Sequence, residues 1–216
     1  MMYVGRIVAA GKNKFGRLTA MYRVSSRSFP NRQSKQIGEA IAIVPKEGFE
    51  RDGYDNPYIS YNCLRLTGSY AVAANGSHSD PIAEKLGSGM SVRDAVITVL
   101  HAMDYEHDTY NTPRITAVID TRARCATLGI IRHDAIIVKS FPLKAGQAVY
   151  VATYEHNEPS DTFADNDFHI DSAEEACNYI LGQGVFADLE RPVSAACALE
   201  TADGFSIAYQ DMERSV

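Results

Sequence analysis

Several short runs in this chain are mostly apolar and do not alternate with polar residues. Tyr3–Ala10, Ala40–Val44, Tyr70–Ala74, Arg114–Ile119 and Cys125–Ile131 are rich in β-branched and small apolar residues and are bounded by glycine, proline or polar turn residues. A strand with one wet face alternates apolar and polar residues; a strand buried on both faces does not. The pattern predicts two sheets packed face to face, with helices over their outer faces. Further strands are expected at Leu18–Val24, Ile59–Leu66, Ala135–Phe141, Ala148–Tyr154, Val193–Leu199 and Phe205–Tyr209. Turns at Lys12–Gly16, Thr67–Ser69, Arg132–Asp134 and Thr201–Gly204 suggest hairpins and mostly antiparallel pairing.

The centre of the chain changes period. In Ser91–Met103, Val92, Ala95, Val96, Val99, Leu100 and Met103 recur at spacings of three and four, an amphipathic helix. Ser91 and Asp94 match a capping box, as do Ser172 and Glu175 at the start of a helix over Ser172–Gln183. A shorter helix is expected over Asp80–Leu86, and Glu155–Asp171 reads as an irregular surface loop. Strands with a few inserted helices indicate an α+β fold. No Pro-, Gly- or Ser-rich linker and no repeat divides the chain, so residues 1–216 are expected to form one domain.

Composition narrows the function classes. At 45% hydrophobic and 22% charged residues, the chain has enough apolar matter for a sizeable core. Its formal net charge of -6 argues against nucleic acid as partner. No run of eighteen apolar residues suggests a membrane span, and the N-terminus lacks the pattern of a secretory signal, so the cytoplasm is the expected location. Cys63, Cys125, Cys177 and Cys197 are widely spaced and expected to be buried free thiols. No HxH, HExxH, GxGxxG or Walker pattern occurs, so neither metal nor cofactor is expected.

Against that acidic background, Tyr22–Arg32 holds three arginines, three serines and one asparagine within eleven residues. Arginine forks and serine hydroxyls suit phosphate or carboxylate oxygens, which suggests a small anionic ligand. A solvated loop or charged edge strand would show the same composition.

Three further segments combine with this one: Asn56–Cys63, Asn75–Asp80, and Met103–Asp108 continuing through Asn111–Arg114. Together with the opening Tyr-Val-Gly-Arg and Thr153-Tyr154-Glu155, the series closely resembles the archaeal-type IMP cyclohydrolases, most densely from Tyr3 to Arg114. The resemblance implies a four-layer αββα sandwich like that of the N-terminal-nucleophile hydrolases. It also implies closure of 5-formamidoimidazole-4-carboxamide ribonucleotide to IMP, the last step of purine synthesis. Members of that hydrolase superfamily usually expose a Cys, Ser or Thr at a processed N-terminus. Met1-Met2-Tyr3 offers none, so the expectation is shared fold without shared chemistry. A homo-oligomer is implied as well, with a tetramer as one form. An amidohydrolase acting on another amide and a non-catalytic purine-nucleotide-binding protein stand as alternatives.

Under this resemblance, ring closure needs positioned reactants, a donor for the formyl oxygen and a proton route. Arg32 is the candidate for polarising that oxygen, Tyr61 for donating a proton, and Glu106 for orienting or deprotonating the amide, with Asp104 as the other carboxylate. Arg23, Ser25, Ser26 and Arg27 are expected to hold phosphate and ribose. Asn62, Asn75, Gly76 and Ser77, and more weakly Asn111 and Arg114, would read the base amide or ribose hydroxyls. Tyr58, three positions before Tyr61, would fall on the opposite face of a regular strand.

Overall fold

The computed structural model describes residues 2–212. Among these, the strands form two antiparallel sheets. The first contains β1 (Ile7–Lys12), β2 (Leu18–Ser25), β10 (Gln147–Ala152), β11 (Ala164–Asp165), β12 (Pro192–Thr201) and β13 (Gly204–Asp211). Its strand order is β11-β10-β1-β2-β12-β13. The second is a meander in which β3 (Arg32–Ile37), β4 (Ala40–Pro45), β5 (Tyr61–Thr67), β6 (Tyr70–Ala74), β7 (Arg114–Asp120), β8 (Cys125–Arg132) and β9 (Ala135–Phe141) pair in chain order. The helices are α1 (Glu50–Asp55), α2 (Ser79–Gly87), α3 (Val92–Met103) and α4 (Ala173–Gly182).

The layers follow from the side-chain alternation. Val8, Ala10, Leu18, Ala20, Tyr22 and Val24 from one sheet meet Ile115, Ala117, Leu128 and Ile130 from the other in a shared core. The intervening residues Ile7, Ala9 and Met21 pack instead against Ala176, Cys177 and Ile180 of α4. On the far side, Val72 and Val118 pack against Ile82, Leu86, Val96 and Leu100 of α2 and α3. Apolar burial on both faces explains the continuous apolar runs. Each fully buried Val, Leu, Ile or Phe contributes roughly 1.5–3 kcal/mol. The expected helix caps form: Ser91 Oγ accepts from Asp94 N (3.2 Å), and Ser172 Oγ from Glu175 N (3.1 Å). Among the described residues, no helix is long and apolar enough to cross a membrane. All four cysteines are free, and Cys125 is only half-buried.

Four local expectations need correction. The first strand begins at Ile7, not Tyr3, because the chain bends at Gly5 (φ 75°). Strand β5 begins at Tyr61, not Ile59: Asn56 Oδ1 accepts from Tyr58 N (2.9 Å) and caps a 3-10 turn over Pro57–Ile59. Glu155–Asp171 is not wholly a surface loop, since it contains β11 and buries Phe168 and Ile170 against the α4 layer. Finally, Arg32–Ile37, where no strand was expected, forms the outer strand β3. Its sequence is polar, as an edge exposed to water allows.

Candidate active site

At one end of the sandwich, Gly5 turns the chain so that Arg6 leaves the line of β1. An alanine Cβ at Gly5 would lie 2.1 Å from Thr153 Oγ1, so only glycine fits there. Arg6 N donates to Thr153 Oγ1 (3.1 Å), and the guanidinium reaches across to the segment after α3. That segment is tightly organised. Asp108 accepts from Tyr110 N (3.1 Å), Thr112 N (2.8 Å) and Thr112 Oγ1 (2.7 Å), and Glu106 N donates to Thr112 O (2.8 Å). The Thr112 hydroxyl proton is committed to Asp108, so the Tyr154 hydroxyl donates to Thr112 Oγ1 (3.1 Å).

The result is a cleft lined by Tyr3, Arg6, Ser26, Arg32, Tyr58 and Glu106. It is narrow, about 70 Å³, and opens into a wider depression of about 250 Å³ that shares Tyr3, Ser28, Tyr110 and Tyr154. The Tyr154 ring lies 5.9 Å from Tyr3 and 6.4 Å from Tyr110, an aromatic wall beside charged groups.

Glu106 is the centre of the charge arrangement. It is 1% exposed, and Arg6 Nη2 holds its Oε2 at 3.1 Å. Its Oε1 accepts no hydrogen bond, and Arg114 Nη1 stands 3.9 Å from it. Burial raises the Glu106 pKa above the usual 4.5, and Arg6 and Arg114 only partly reverse this. Burial also opposes the Arg6 cation, but Glu106 and the surrounding tyrosines more than offset it and raise the Arg6 pKa. Arg114 is anchored from behind, its Nε donating to Asp104 O (2.8 Å) and its guanidinium 5.7 Å from the Tyr58 ring. Arg32 is 3% exposed and donates through Nε to Phe29 O (3.0 Å). Beneath the cleft, the Tyr61 and Tyr22 hydroxyls share a 2.5 Å hydrogen bond. Burial raises the pKa of both phenols, opposed for Tyr61 by Arg32 and Arg6, so both keep their protons at neutral pH.

A buried carboxylate with one unpartnered oxygen, two neighbouring guanidinium groups and a phenol pair can move protons and stabilise a developing oxyanion. Among the described residues, no three His, Cys, Asp or Glu side chains converge in a way that would hold a metal ion. Residues 3–204 match the family described as IMP cyclohydrolase-like protein. The chain belongs to that family. It is 44% identical over 210 residues to the IMP cyclohydrolase of Methanosphaera stadtmanae, covering 97% of this chain and all of the relative. The IMP cyclohydrolase of Methanocaldococcus jannaschii is 43% identical, with 96% and 98% covered, and that of Methanocella arvoryzae 44%, with 95% and 96% covered.

Of the residues expected from sequence, the fold of this family member gathers Ser26, Arg32, Tyr58 and Glu106 around the cleft. Arg114 lies behind it and Tyr61 below. Tyr58 joins them because its 3-10 turn frees it from strand alternation. Arg27 stands at the rim, ion-paired to Glu190 (3.0 Å) and 4.3 Å over the Tyr3 ring. Others are placed elsewhere. Arg23 is fully buried beneath α4, donating to the carbonyls of Ile180, Leu181, Phe186, Leu189 and Glu190 and to Ser25 Oγ. Asn62 faces α2, donating to Asp80 Oδ1 (2.8 Å), and Ser77 is exposed at the start of that helix. Asn75 ties β6 to β7, accepting from Ile115 N (2.7 Å) and donating to Pro113 O (2.9 Å). Gly76 provides close approach, since a Cβ there would lie 2.8 Å from Arg114 Nη1. Asp104, 46% exposed in its side chain, pairs with His107, and Asn111 is an exposed turn residue at φ 49°.

Sequence reasoning overlooked Arg6, Tyr22, Asp108, Tyr110 and Tyr154. A lone cation in the apolar run Tyr3–Ala10 was the available signal for Arg6, and both Arg6 and Tyr154 lie in segments that carried the family resemblance. Tyr22 and Asp108 also lie in such segments, Tyr22–Arg32 and Met103–Asp108, but Tyr22 by itself reads as an ordinary aromatic in a core strand.

Proposed function

We propose that this chain is an IMP cyclohydrolase acting on 5-formamidoimidazole-4-carboxamide ribonucleotide. The observation that carries the mechanism is Glu106, buried, fixed by Arg6 through one oxygen and without a hydrogen-bond partner at the other. Ring closure forms a bond from the carboxamide nitrogen to the formyl carbon and breaks that carbon's bond to oxygen. One proton comes from each of the two nitrogens, and both leave with the oxygen as water. An amide nitrogen is a weak nucleophile because its lone pair is delocalised, so a base must meet it as it attacks. Glu106 Oε1 takes the attacking nitrogen's proton, aided by its raised pKa. Arg32, with its terminal nitrogens making no hydrogen bond among the described residues, stabilises the charge gathering on the formyl oxygen. Tyr61, its proton buffered by Tyr22, is the donor that helps this oxygen depart. Tyr3 and Tyr154 offer an aromatic face to the heterocycle.

The same reading takes residues 1–216 as one domain with the layering of the N-terminal-nucleophile hydrolases, supported by the single core shared between the sheets. Four cysteines without a disulfide accord with a reducing compartment, and the cytoplasm is the location we propose. A symmetric homo-oligomer belongs to the proposal too. Strand β9, with Ile136 41% exposed, is an edge that assembly would cover. The deciding experiment supplies the formamido nucleotide to purified protein and follows purine formation by ultraviolet absorbance. Absence of turnover, in protein shown to be folded, would reject the reading.

A further inference from the structure

Glu106 and Arg114 are joined by one tight turn. Helix α3 stops at Asp104, whose φ of 55° takes the chain out of the helix, and β7 starts at Arg114. Between them, Glu106 N donates to Thr112 O (2.8 Å) and closes the base of the turn. We propose that Asp108 is the positioning residue of this turn: it holds Glu106 apart from Arg114 and sets its own charge against the surrounding cations, so that Glu106 stays a competent base. The catalytic meaning of this role rests on the cyclohydrolase reading above.

Hydrogen bonds supply the grip. Asp108 Oδ1 accepts from Tyr110 N (3.1 Å) and Thr112 N (2.8 Å), and Oδ2 accepts from Thr112 Oγ1 (2.7 Å). Its backbone carbonyl accepts from Asn111 N (3.1 Å). Asp108 lines the cleft, but both carboxylate oxygens are engaged within the turn, so it acts through Glu106. The far leg is fixed to the sheet: Thr112 is fully buried, and Pro113 O accepts from Asn75 Nδ2 (2.9 Å). The Glu106 side chain makes one hydrogen bond, to Arg6, and nothing on its other oxygen fixes it toward Arg114. That spacing is left to the turn. Arg114 is held by its Nε on Asp104 O (2.8 Å), and its Nη1 stops 3.9 Å from Oε1, too far for a hydrogen bond. A slack turn would let the gap close. A guanidinium bonded to Oε1 would occupy the lone pair that must take a proton and would favour the ionised carboxylate.

Charge acts in the same sense. Arg6 ahead of β1, Arg32 at the start of β3 and Arg114 of β7 each favour the Glu106 carboxylate, and Asp108 opposes them together with burial. The phenols of Tyr22, Tyr61 and Tyr154 stand around Arg6, while Asp104 and His107 pair with each other at the surface. Removing the Asp108 charge therefore tips the balance toward a weaker base.

The test follows kcat/KM for the formamido nucleotide against pH. It also follows the titration of the Glu106 carboxyl in ligand-free protein by isotope-edited NMR, with Glu106→Gln identifying the signal. Asp108→Ala lowers kcat about 10²-fold with KM within a few-fold. It moves both the acid limb and the Glu106 titration down by about one pH unit or more. Asp108→Asn keeps an acceptor oxygen for both backbone N–H groups and offers its amide to Thr112 Oγ1. It recovers most of the lost kcat, while Glu106 still titrates below its wild-type value because the charge is gone. If Asp108→Ala does not fold, the titration in Asp108→Asn decides alone. A carboxylate that only stabilised the loop would lower the melting temperature of the variants and leave the titration and the acid limb in place; that result overturns the proposal. So does a folded Asp108→Ala with wild-type kcat. If wild-type protein fails to turn over the formamido nucleotide but the Glu106 titration moves in the variants, the cyclohydrolase reading falls and the positioning stands. Turnover with a titration unmoved by either substitution has the reverse meaning.

Discussion

His78 offers a quantitative test of how the ground behind the cleft is built. Its ring is fully buried at the start of α2, with Nε2 2.9 Å from the carbonyl oxygen of Ile115. A carbonyl only accepts, so Nε2 carries the proton and Nδ1 is a bare lone pair, unpartnered in the structure. Around Gly76, Nδ1 and Arg114 Nη1 lie close together: a Cβ there would be 3.2 Å from one and 2.8 Å from the other. A second proton on the ring would be buried and next to a cation. Burial first, and Arg114 second, therefore lower the His78 pKa from 6.5 to about 3, against the opposing Ile115 hydrogen bond. The unfolded chain takes up this proton near pH 6.5 while the native protein refuses it. The stability contribution is thus complete above pH 6.5 and is lost as pH falls toward 3. At about 1.36 kcal/mol per pH unit, the whole window is worth about 5 kcal/mol, and the part down to pH 5 about 2 kcal/mol. His78→Gln keeps an amide donor for Ile115 but does not titrate. Urea unfolding at 25 °C, followed by circular dichroism at pH 7.5 and 5.0, should show wild-type protein losing about 2 kcal/mol more than the variant. Parallel losses would refute the argument and would mean that the buried ring exchanges its proton as an exposed histidine does.

Glu106→Gln and Tyr61→Phe should each lower kcat by about 10²-fold or more while leaving KM within a few-fold, as measured by steady-state kinetics. Because burial raises the Glu106 pKa, wild-type activity should fall as pH drops through a value above the usual 4.5, and Glu106→Gln should lack that acid limb; near wild-type rates in both variants would end the assignment. Arg23→Met should cost about 3 kcal/mol or more in urea unfolding, since it strands buried carbonyls at the end of α4. A stable Arg23→Met variant with selectively weakened nucleotide binding would instead bring Arg23 back to the ligand. Gly5→Ala forces a methyl into Thr153 at a left-handed position, so a lowered melting temperature and lowered turnover should appear together; an unchanged melting curve would contradict the geometry.

Legibility followed the range of the interactions involved. The expected helix at Ser91–Met103 and its cap were readable because capping and a 3.6-residue apolar stripe are local. Hairpins such as Thr67–Tyr70 were readable because a short turn dictates its own register. Strand β3 was not, because a polar edge has the same composition as a loop. Phe168 and Ile170 were hidden in a polar stretch whose anchoring partner, α4, comes later in the chain. Glu106 and Arg32 were found through family resemblance, whereas composition alone fits a solvated helix end and a charged loop equally well.

By itself, the sequence determined the layered α+β architecture, because strands without alternation must be covered on both faces and the helices needed for this are locally encoded. It also determined that any anion site is a local exception on an acidic chain. Tertiary structure alone decided what each charged side chain does. Arg23 and Arg32 belong to the same cation-rich segment, yet one is spent on backbone carbonyls under α4 and the other lines the cleft. Glu106 meets Arg6 across a hundred residues. An ionic group's role depends on its burial and on its partners' distance, and in this fold those partners come from remote parts of the chain.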